Sequence, residues 1–122
     1  MSVVCVAPRR PVARVALGTL AAGLLASAIA VVVATDAGWP WVAATVMAPD
    51  VALLLGWTRG LAPGQLHPRA VPLYNALHRF IGPILLAFVP GFLLGALAWA
   101  LHIAVDRTVG YGLRTRDGFQ RA

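Results

Sequence analysis

Apolar residues run along the chain in four long blocks, and short stretches rich in proline, glycine and arginine separate these blocks. Each block is long enough to cross the hydrocarbon core of a bilayer, about 30 Å, as an α-helix. The pattern predicts an all-α fold, a four-helix transmembrane bundle with spans at residues 13–34, 39–57, 70–89 and 91–109. Because these spans use almost the whole chain, we expect one integral membrane domain over residues 1–122, with a basic tail at 110–122.

The composition favours a membrane protein over a soluble one. Hydrophobic residues make up 60% of the chain and charged residues 11%, whereas about a quarter of the residues in soluble domains are charged. The net charge of +6 would suggest nucleic acid as the partner of a soluble protein. For a chain this apolar, we expect the lipid bilayer as the partner and no nucleic acid.

The basic residues predict the orientation. All ten are arginines, and with four crossings they all fall on one side of the membrane. The positive-inside rule places that side in the cytoplasm, together with both termini and the central loop. The arginines before the first span also resemble the start of a secretory signal, but the apolar run is long and more spans follow, which favours an uncleaved helix.

Small residues recur at four-residue spacing along the first span, and Cys5 is the only cysteine. The small residues are Gly18, Ala22, Ala26, Ala30 and Ala34. This spacing allows two membrane helices to approach closely, so it predicts a packing face, either for the other three spans or for a second copy in a homo-oligomer. A lone cysteine excludes an intrachain disulfide and a cysteine-based metal motif.

Ionisable residues interrupt three of the four apolar spans. Asp50 follows Pro49 in the second span, His78 lies in the third, and His102 and Asp106 lie in the fourth, four residues apart and so on one helix face. At 1.5 Å per residue, they lie about 5 to 12 Å from the cytoplasmic ends of their spans. Such residues are costly in hydrocarbon and mark sites with partners. The sequence therefore predicts that they meet in one layer.

Other polar residues accompany this layer. Tyr74 and Asn75 precede His78 by four and three residues and share its helix face, and Arg107 follows Asp106. We expect all three side chains to face the same inner cavity. Tyr111, in the tail, is a further supporting residue.

Three interpretations of the layer remain open. In the first, Asp50 or Asp106 pairs with Arg79 or Arg107, and the polar groups only hold the helices together. In the second, two histidines and two aspartates bind a divalent metal such as zinc, manganese or iron. In the third, the groups relay protons or gate a small solute, which would require an oligomer.

The metal interpretation defines candidate residues. The ligands would be Asp50, His78, His102 and Asp106, and the catalytic candidates are His78, His102 and Asp106. A metal with an open coordination position could activate water for hydrolysis near the lipid head groups. The sequence shows no serine or cysteine nucleophile constellation and no glycine-rich phosphate loop, since the glycines at 110 and 112 follow an apolar helix.

Two segments carry a resemblance to a known family. They are residues 74–78, reading YNALH, and residues 102–113, reading HIAVDRTVGYGL, with Pro49-Asp50 and Gly118-Phe119 matching as well. In them the chain resembles an uncharacterised family of small bacterial integral membrane proteins, domain of unknown function 4260. The resemblance covers roughly residues 42–119 and implies a multi-pass protein of the bacterial inner (plasma) membrane, without an established activity.

The chain departs from that family pattern at two places. Family members often have a second histidine where this chain has Arg79. They also often continue past the phenylalanine with further histidines, where this chain has Gln120, Arg121 and Ala122. If those histidines bind metal in the family, the site here has to be built without them.

Overall fold

The computed structural model describes residues 10–36 and 39–121, and these residues form a helical fold. The helices are α1 (Pro11–Thr35), α2 (Trp39–Met47), α3 (Val51–Leu55), α4 (Val71–Leu77), α5 (Ile81–Ala87) and α6 (Leu93–Val109). Short 3-10 turns lie at Ala48–Asp50 and Pro68–Ala70. The predicted all-α class is confirmed, whereas the second and third predicted spans each consist of two shorter helices.

Helix α1 corresponds to the first predicted span. Among the described residues it is the helix that is long and apolar enough to cross a membrane, and the segment Pro40–Leu55 is apolar but shorter. Pro11 lies in its first turn, where the missing N–H has no helical acceptor in any case. The helix ends at Asp36, which has a left-handed backbone with φ of 51°.

Pro49 divides the second predicted span into α2 and α3. Proline has no N–H to donate to the carbonyl of Thr45 and its ring displaces that carbonyl. Residues Ala48–Asp50 therefore form a 3-10 turn, in which the N–H of Val51 donates to the carbonyl of Ala48. Pro49 therefore ends α2, and a new helix starts at Val51.

The third predicted span is divided between α4 and α5. Pro83 has no N–H for the carbonyl of Arg79, and His78 ends α4 with φ of −103°. The indole Nε1 of Trp99 donates to the carbonyl of Leu77 at 2.7 Å, which satisfies a backbone acceptor at the break. The division leaves His78 at a helix end and not in the middle of a helix.

Helix α6 is the centre of the bundle and packs against α1, α2 and α5. It runs antiparallel to α1, because Arg14 Nε donates to the carbonyl of Thr108 at 3.0 Å and Gly18 lies beside the same threonine. The start of α1 and the end of α6 are therefore neighbours. The position of both termini on one side of a membrane stays a prediction.

The face of α1 that packs in the bundle differs from the predicted one. Ala21 and Ala28 are the buried residues of this helix. The predicted small residues beyond Gly18 are exposed, namely Ala22, Ala26, Ala30 and Ala34. The prediction that this row packs against the other helices is therefore wrong. Its packing against a second copy stays a prediction.

The basic tail folds back on itself. In this C-terminal hairpin, residues 111–121, the N–H of Thr115 donates to the carbonyl of Phe119 at 2.8 Å and the N–H of Arg121 donates to that of Leu113 at 2.7 Å. The hairpin is attached to the loop between α3 and α4 by the N–H of Leu66, which donates to the carbonyl of Gly118 at 2.9 Å. The tail thus closes the end of the bundle where α6 finishes.

Candidate metal centre

Four ionisable side chains from three parts of the chain meet at one point. Asp50 comes from the 3-10 turn between α2 and α3, and His78 from the end of α4. His102 and Asp106 come from one face of α6. One potential ligand atom from each residue lies within 4.8 Å of the others. The predicted convergence is confirmed, whereas the metal role assigned to these residues stays a prediction.

The contacts within the cluster are nearly equal in length. His78 Nε2 lies 3.4 Å from Asp50 Oδ1 and 3.4 Å from Asp106 Oδ2. His102 Nε2 lies 3.3 Å from each of the same two oxygens. The two Nε2 atoms are themselves 3.3 Å apart. Five contacts between four atoms therefore fall in a range of 0.1 Å.

These lengths match the edges of a tetrahedral coordination shell. Zinc binds imidazole nitrogen and carboxylate oxygen at about 2.0 to 2.1 Å, so the ligand atoms of a regular tetrahedron lie about 3.3 to 3.4 Å apart. Two histidines and two carboxylates are a ligand set that suits zinc and other divalent transition metals. The cluster therefore has both the spacing and the donor chemistry of such a site.

The backbone around His78 fixes the direction of its ring. Its Nδ1 lies 2.8 Å from the carbonyl oxygen of Tyr74, and because a carbonyl only accepts, Nδ1 carries the proton. In the neutral ring, Nε2 then presents a lone pair to the cluster. A hydrogen bond from the second ring nitrogen to a backbone carbonyl is the usual support of a histidine that binds metal.

His102 is held from both sides of the helix break. It lies one turn before Asp106 on α6, and its ring lies beside the backbone of Val46, in the last turn of α2. Because Pro49 interrupts the helical bonding just after this turn, the backbone there is available to a side chain. The break that brings in Asp50 thus also supports His102.

The cluster is buried on its histidine side and open on its aspartate side. His78 is 2% exposed and His102 is 8% exposed, whereas the side chain of Asp50 is 33% exposed and that of Asp106 is 23% exposed. The cluster is therefore accessible from the side of the two carboxylates.

The predicted supporting residues lie in different positions around the cluster. The ring of Tyr74 stacks on that of His78 with centroids 3.9 Å apart, and Arg107 Nη2 donates to the carbonyl of His78 at 2.8 Å. The amide of Asn75 bonds to the backbone of Arg114 in the hairpin. Tyr111 is 54% exposed. Their supporting roles stay predictions.

A part of the tail that was not predicted from the sequence also reaches this site. The guanidinium of Arg114 lies 4.7 Å from the ring centroid of Tyr74, and Gln120 Nε2 lies 3.3 Å from the Tyr74 hydroxyl. The Asp117-Gly118 pair was the available signal, because this dipeptide favours a tight hairpin turn. The surrounding arginines indicate the orientation of the chain in a membrane and do not indicate a hairpin.

A comparison with protein-family models identifies the family of the chain. The family described as Domain of unknown function (DUF4260) matches residues 16–122. The chain belongs to the DUF4260 family. The match includes all four residues of the cluster, but the family's description assigns no activity to them. No curated protein and no solved structure gives a significant match.

Proposed function

We propose that this DUF4260 protein is a multi-pass membrane protein that binds one divalent transition-metal ion, of the zinc class, at Asp50, His78, His102 and Asp106. The observation that carries the proposal is the approach of two Nε2 atoms to each other and to the same two carboxylate oxygens at 3.3 to 3.4 Å. With neutral histidines all four atoms are electron-pair donors. A divalent cation between them makes all of these contacts attractive at once, whereas a proton on one histidine satisfies only the contacts of that ring.

Charge balance also supports a divalent ion. Two carboxylates and two neutral imidazoles carry a charge of −2, which one divalent cation neutralises. A neutral assembly is the form that a medium of low dielectric constant favours, because an unpaired buried charge is costly. Protons on both histidines would neutralise the acids as well, but they would place two N–H groups against each other at 3.3 Å.

The surface of the described residues supports a membrane location for more than α1. Large apolar side chains are exposed on the other helices too, including Trp41, Leu54, Leu85 and Phe88, with exposed fractions of 61% to 82%. The buried core contains mainly small residues such as Ala52, Ala98 and Ala104. Helix α6 has 17 residues, at the short end of the roughly 17 to 25 that cross a bilayer.

Cysteine labelling tests the four crossings. In a Cys5→Ser background, single cysteines would be introduced by Asp36→Cys, Arg59→Cys, Val89→Cys or Arg116→Cys, and a membrane-impermeant maleimide applied to intact cells. Four crossings predict labelling at positions 36 and 89 before permeabilisation, and at 59 and 116 only afterwards. A single crossing would place 59, 89 and 116 on the same side and would contradict the proposal.

Metal analysis of the purified full chain tests the site. We expect about one divalent ion per chain after zinc loading and removal of free metal, because the four donors form one tetrahedral set. His102→Ala should lose this ion. His67→Ala is the matched control, since His67 is the one histidine of the chain outside the cluster. Its Nδ1 accepts the N–H of Arg69 in the loop. A wild-type chain that retains no ion, or a His102→Ala variant that retains it, would overturn the proposal.

Hydrolysis is a second candidate function, favoured by the exposure of the two carboxylates. Because four protein donors complete a tetrahedral shell, activation of water requires the metal to take a fifth ligand or one carboxylate to give up its position, and Asp50 and Asp106 lie on the exposed side of the cluster. The test is release of water-soluble products from phospholipid vesicles that contain the zinc-loaded protein. Release that His102→Ala and chelator both abolish supports hydrolysis, and equal release by wild type and His102→Ala rejects it.

A further inference from the structure

Arg114 is a buried cation whose position the metal site alone does not explain. It is 9% exposed, and its Nη1 donates to the carbonyls of Gly64 at 3.0 Å and Gly118 at 2.7 Å. Its Nε has no hydrogen-bond partner within the described part of the chain. Burying a guanidinium in this way is costly, so its contact with the face of Tyr74 needs a reason.

Three aromatic or planar groups form a column that ends at the cluster. The Arg114 guanidinium lies 4.7 Å from the Tyr74 ring centroid, a distance at which a cation is attracted to the ring face. The Tyr74 ring stacks on the His78 ring at 3.9 Å with an interplanar angle of 14°. His78 Nε2 then faces the three other donors. A shift of Arg114 therefore reaches the ligand atom through one intervening ring.

Asn75 fixes the backbone of the same arginine. Its Nδ2 donates to the Arg114 carbonyl at 3.0 Å, and its Oδ1 accepts the Arg114 N–H at 2.7 Å. Together these bonds attach the hairpin to the turn of α4 that ends in His78. The carbonyl of Tyr74, in this turn, is also the acceptor for His78 Nδ1.

We propose that the C-terminal hairpin is a positioning element of the metal site, in which Arg114 and Asn75 hold Tyr74 and thereby fix the His78 ring in its metal-binding orientation. This inference rests on the proposed metal function. It makes zinc affinity depend on docking of the hairpin, and by thermodynamic linkage it makes bound zinc stabilise that docking.

Zinc affinity of the full chain, measured by competition with a chromophoric chelator, is the first test. Arg114→Ala and Asn75→Ala should each weaken zinc binding by about 10-fold or more, the size seen when groups that orient a ligand are removed. Arg114→Lys keeps the charge but lacks the flat guanidinium and should restore part of the loss. Arg116→Ala is the matched control, because Arg116 is an exposed arginine of the same hairpin.

A purely structural role of the hairpin would have a different result. It predicts that Arg114→Ala and Asn75→Ala lower the melting temperature of the zinc-free protein while zinc affinity stays within about twofold of wild type and Arg116→Ala. That outcome would overturn the inference. If Arg114→Ala does not fold, Asn75→Ala and Arg114→Lys carry the same comparison.

A second readout separates this inference from the proposed function. In zinc-free protein labelled with ¹⁵N-histidine, the His78 ring nitrogens should show the Nδ1-protonated form in the wild type and in Arg116→Ala. Arg114→Ala should shift these signals. If the wild type binds no zinc, the metal proposal fails but this spectrum still tests the positioning. Identical His78 signals in wild type and Arg114→Ala would reject the positioning itself.

Discussion

The two ends of the bundle are built on different principles. At the end farther from the cluster, α1, α2 and the start of α6 surround a cleft of about 820 Å³, and no ionisable residue is among the described residues that line it. At the other end, the cluster, the loop before α4 and the C-terminal hairpin interlock through polar contacts. We call these the cleft end and the cluster end.

The difference between the two ends indicates that the relative positions of the helices are specified most closely at the cluster end. We expect the apolar and small side chains at the cleft end to tolerate changes in packing, because the hydrophobic effect has no direction. At the cluster end, hydrogen bonds with defined donors and acceptors join α4, α6 and the hairpin. We therefore expect substitutions at the cluster end to change metal binding, and substitutions at the cleft end to change packing alone.

The largest expected effect is at the acidic ligands. Asp106→Asn removes one of the two negative charges that neutralise the ion, so zinc affinity should fall by about 100-fold or more, beyond the 10- to 100-fold typical of groups one layer further out. Asp117→Asn is the matched control, since Asp117 is an exposed aspartate in the hairpin. Zinc titration checks this, and equal affinities of the two variants would contradict it.

The next effect is expected at Gly118, where the hairpin meets the loop. Its φ of 98° favours glycine, and a Cβ there would collide with the carbonyl oxygen of Leu66 at 1.8 Å. Gly118→Ala should undock the hairpin and weaken zinc binding by about 10-fold. Limited proteolysis should show earlier cleavage in residues 111–121. Gly60→Ala is the control, because Gly60 has a similar φ of 86° with nothing nearby. If Gly118→Ala undocks the hairpin but keeps the zinc affinity of the wild type, the site does not depend on the tail.

Gly82 lies between the two ends, and we expect its substitution to change zinc affinity less than Gly118→Ala does and to act mainly on stability. A Cβ at Gly82 would lie 2.5 Å from Trp99 Cη2, and Trp99 supports the carbonyl next to His78. Gly82→Ala should destabilise the fold by about 1 to 3 kcal/mol, the usual cost of overpacking. Thermal unfolding measures this. An unchanged melting temperature would mean that the indole is not held as tightly as its hydrogen bond indicates.

The smallest effect is expected at the cleft end. A Cβ at Gly95 would make ordinary contacts, 3.6 Å from Thr45 Cγ2 and 3.8 Å from Leu86 Cδ2. Gly95→Ala should leave zinc affinity unchanged and, because alanine favours a helix more than glycine does, should raise stability by no more than about 1 kcal/mol. The same two measurements check it. A loss of zinc affinity here would remove the distinction between the two ends.

The cluster could be predicted from the sequence because each of its residues is an ionisable side chain in an apolar segment, where it is costly without a partner. Asp50, His78, His102 and Asp106 stand out in apolar surroundings, and helix rise alone placed them at one depth. The proline breaks were also predictable, since Pro49 and Pro83 each remove a helical donor. Their consequence was not, because whether a proline kinks a helix or ends it depends on neighbours such as Trp99 that satisfy the freed backbone.

The hairpin and the packing face of α1 were beyond the sequence for a different reason. Arg114 and Asn75 are separated by 39 residues, and nothing in either segment indicates the other. The alanines of α1 occur on several faces, so small-residue spacing alone did not distinguish Ala21 and Ala28 from the exposed row. Contacts between distant, individually ordinary residues require the assembled structure.

X-ray absorption spectroscopy at the zinc edge of the loaded protein tests whether all four side chains bind one ion. We predict a first shell of four light atoms at about 2.0 to 2.1 Å, with the outer-shell scattering of two imidazole rings. His67→Ala should give the same spectrum. A shell of oxygen atoms without imidazole scattering, or an imidazole signal that survives His78→Ala combined with His102→Ala, would contradict it.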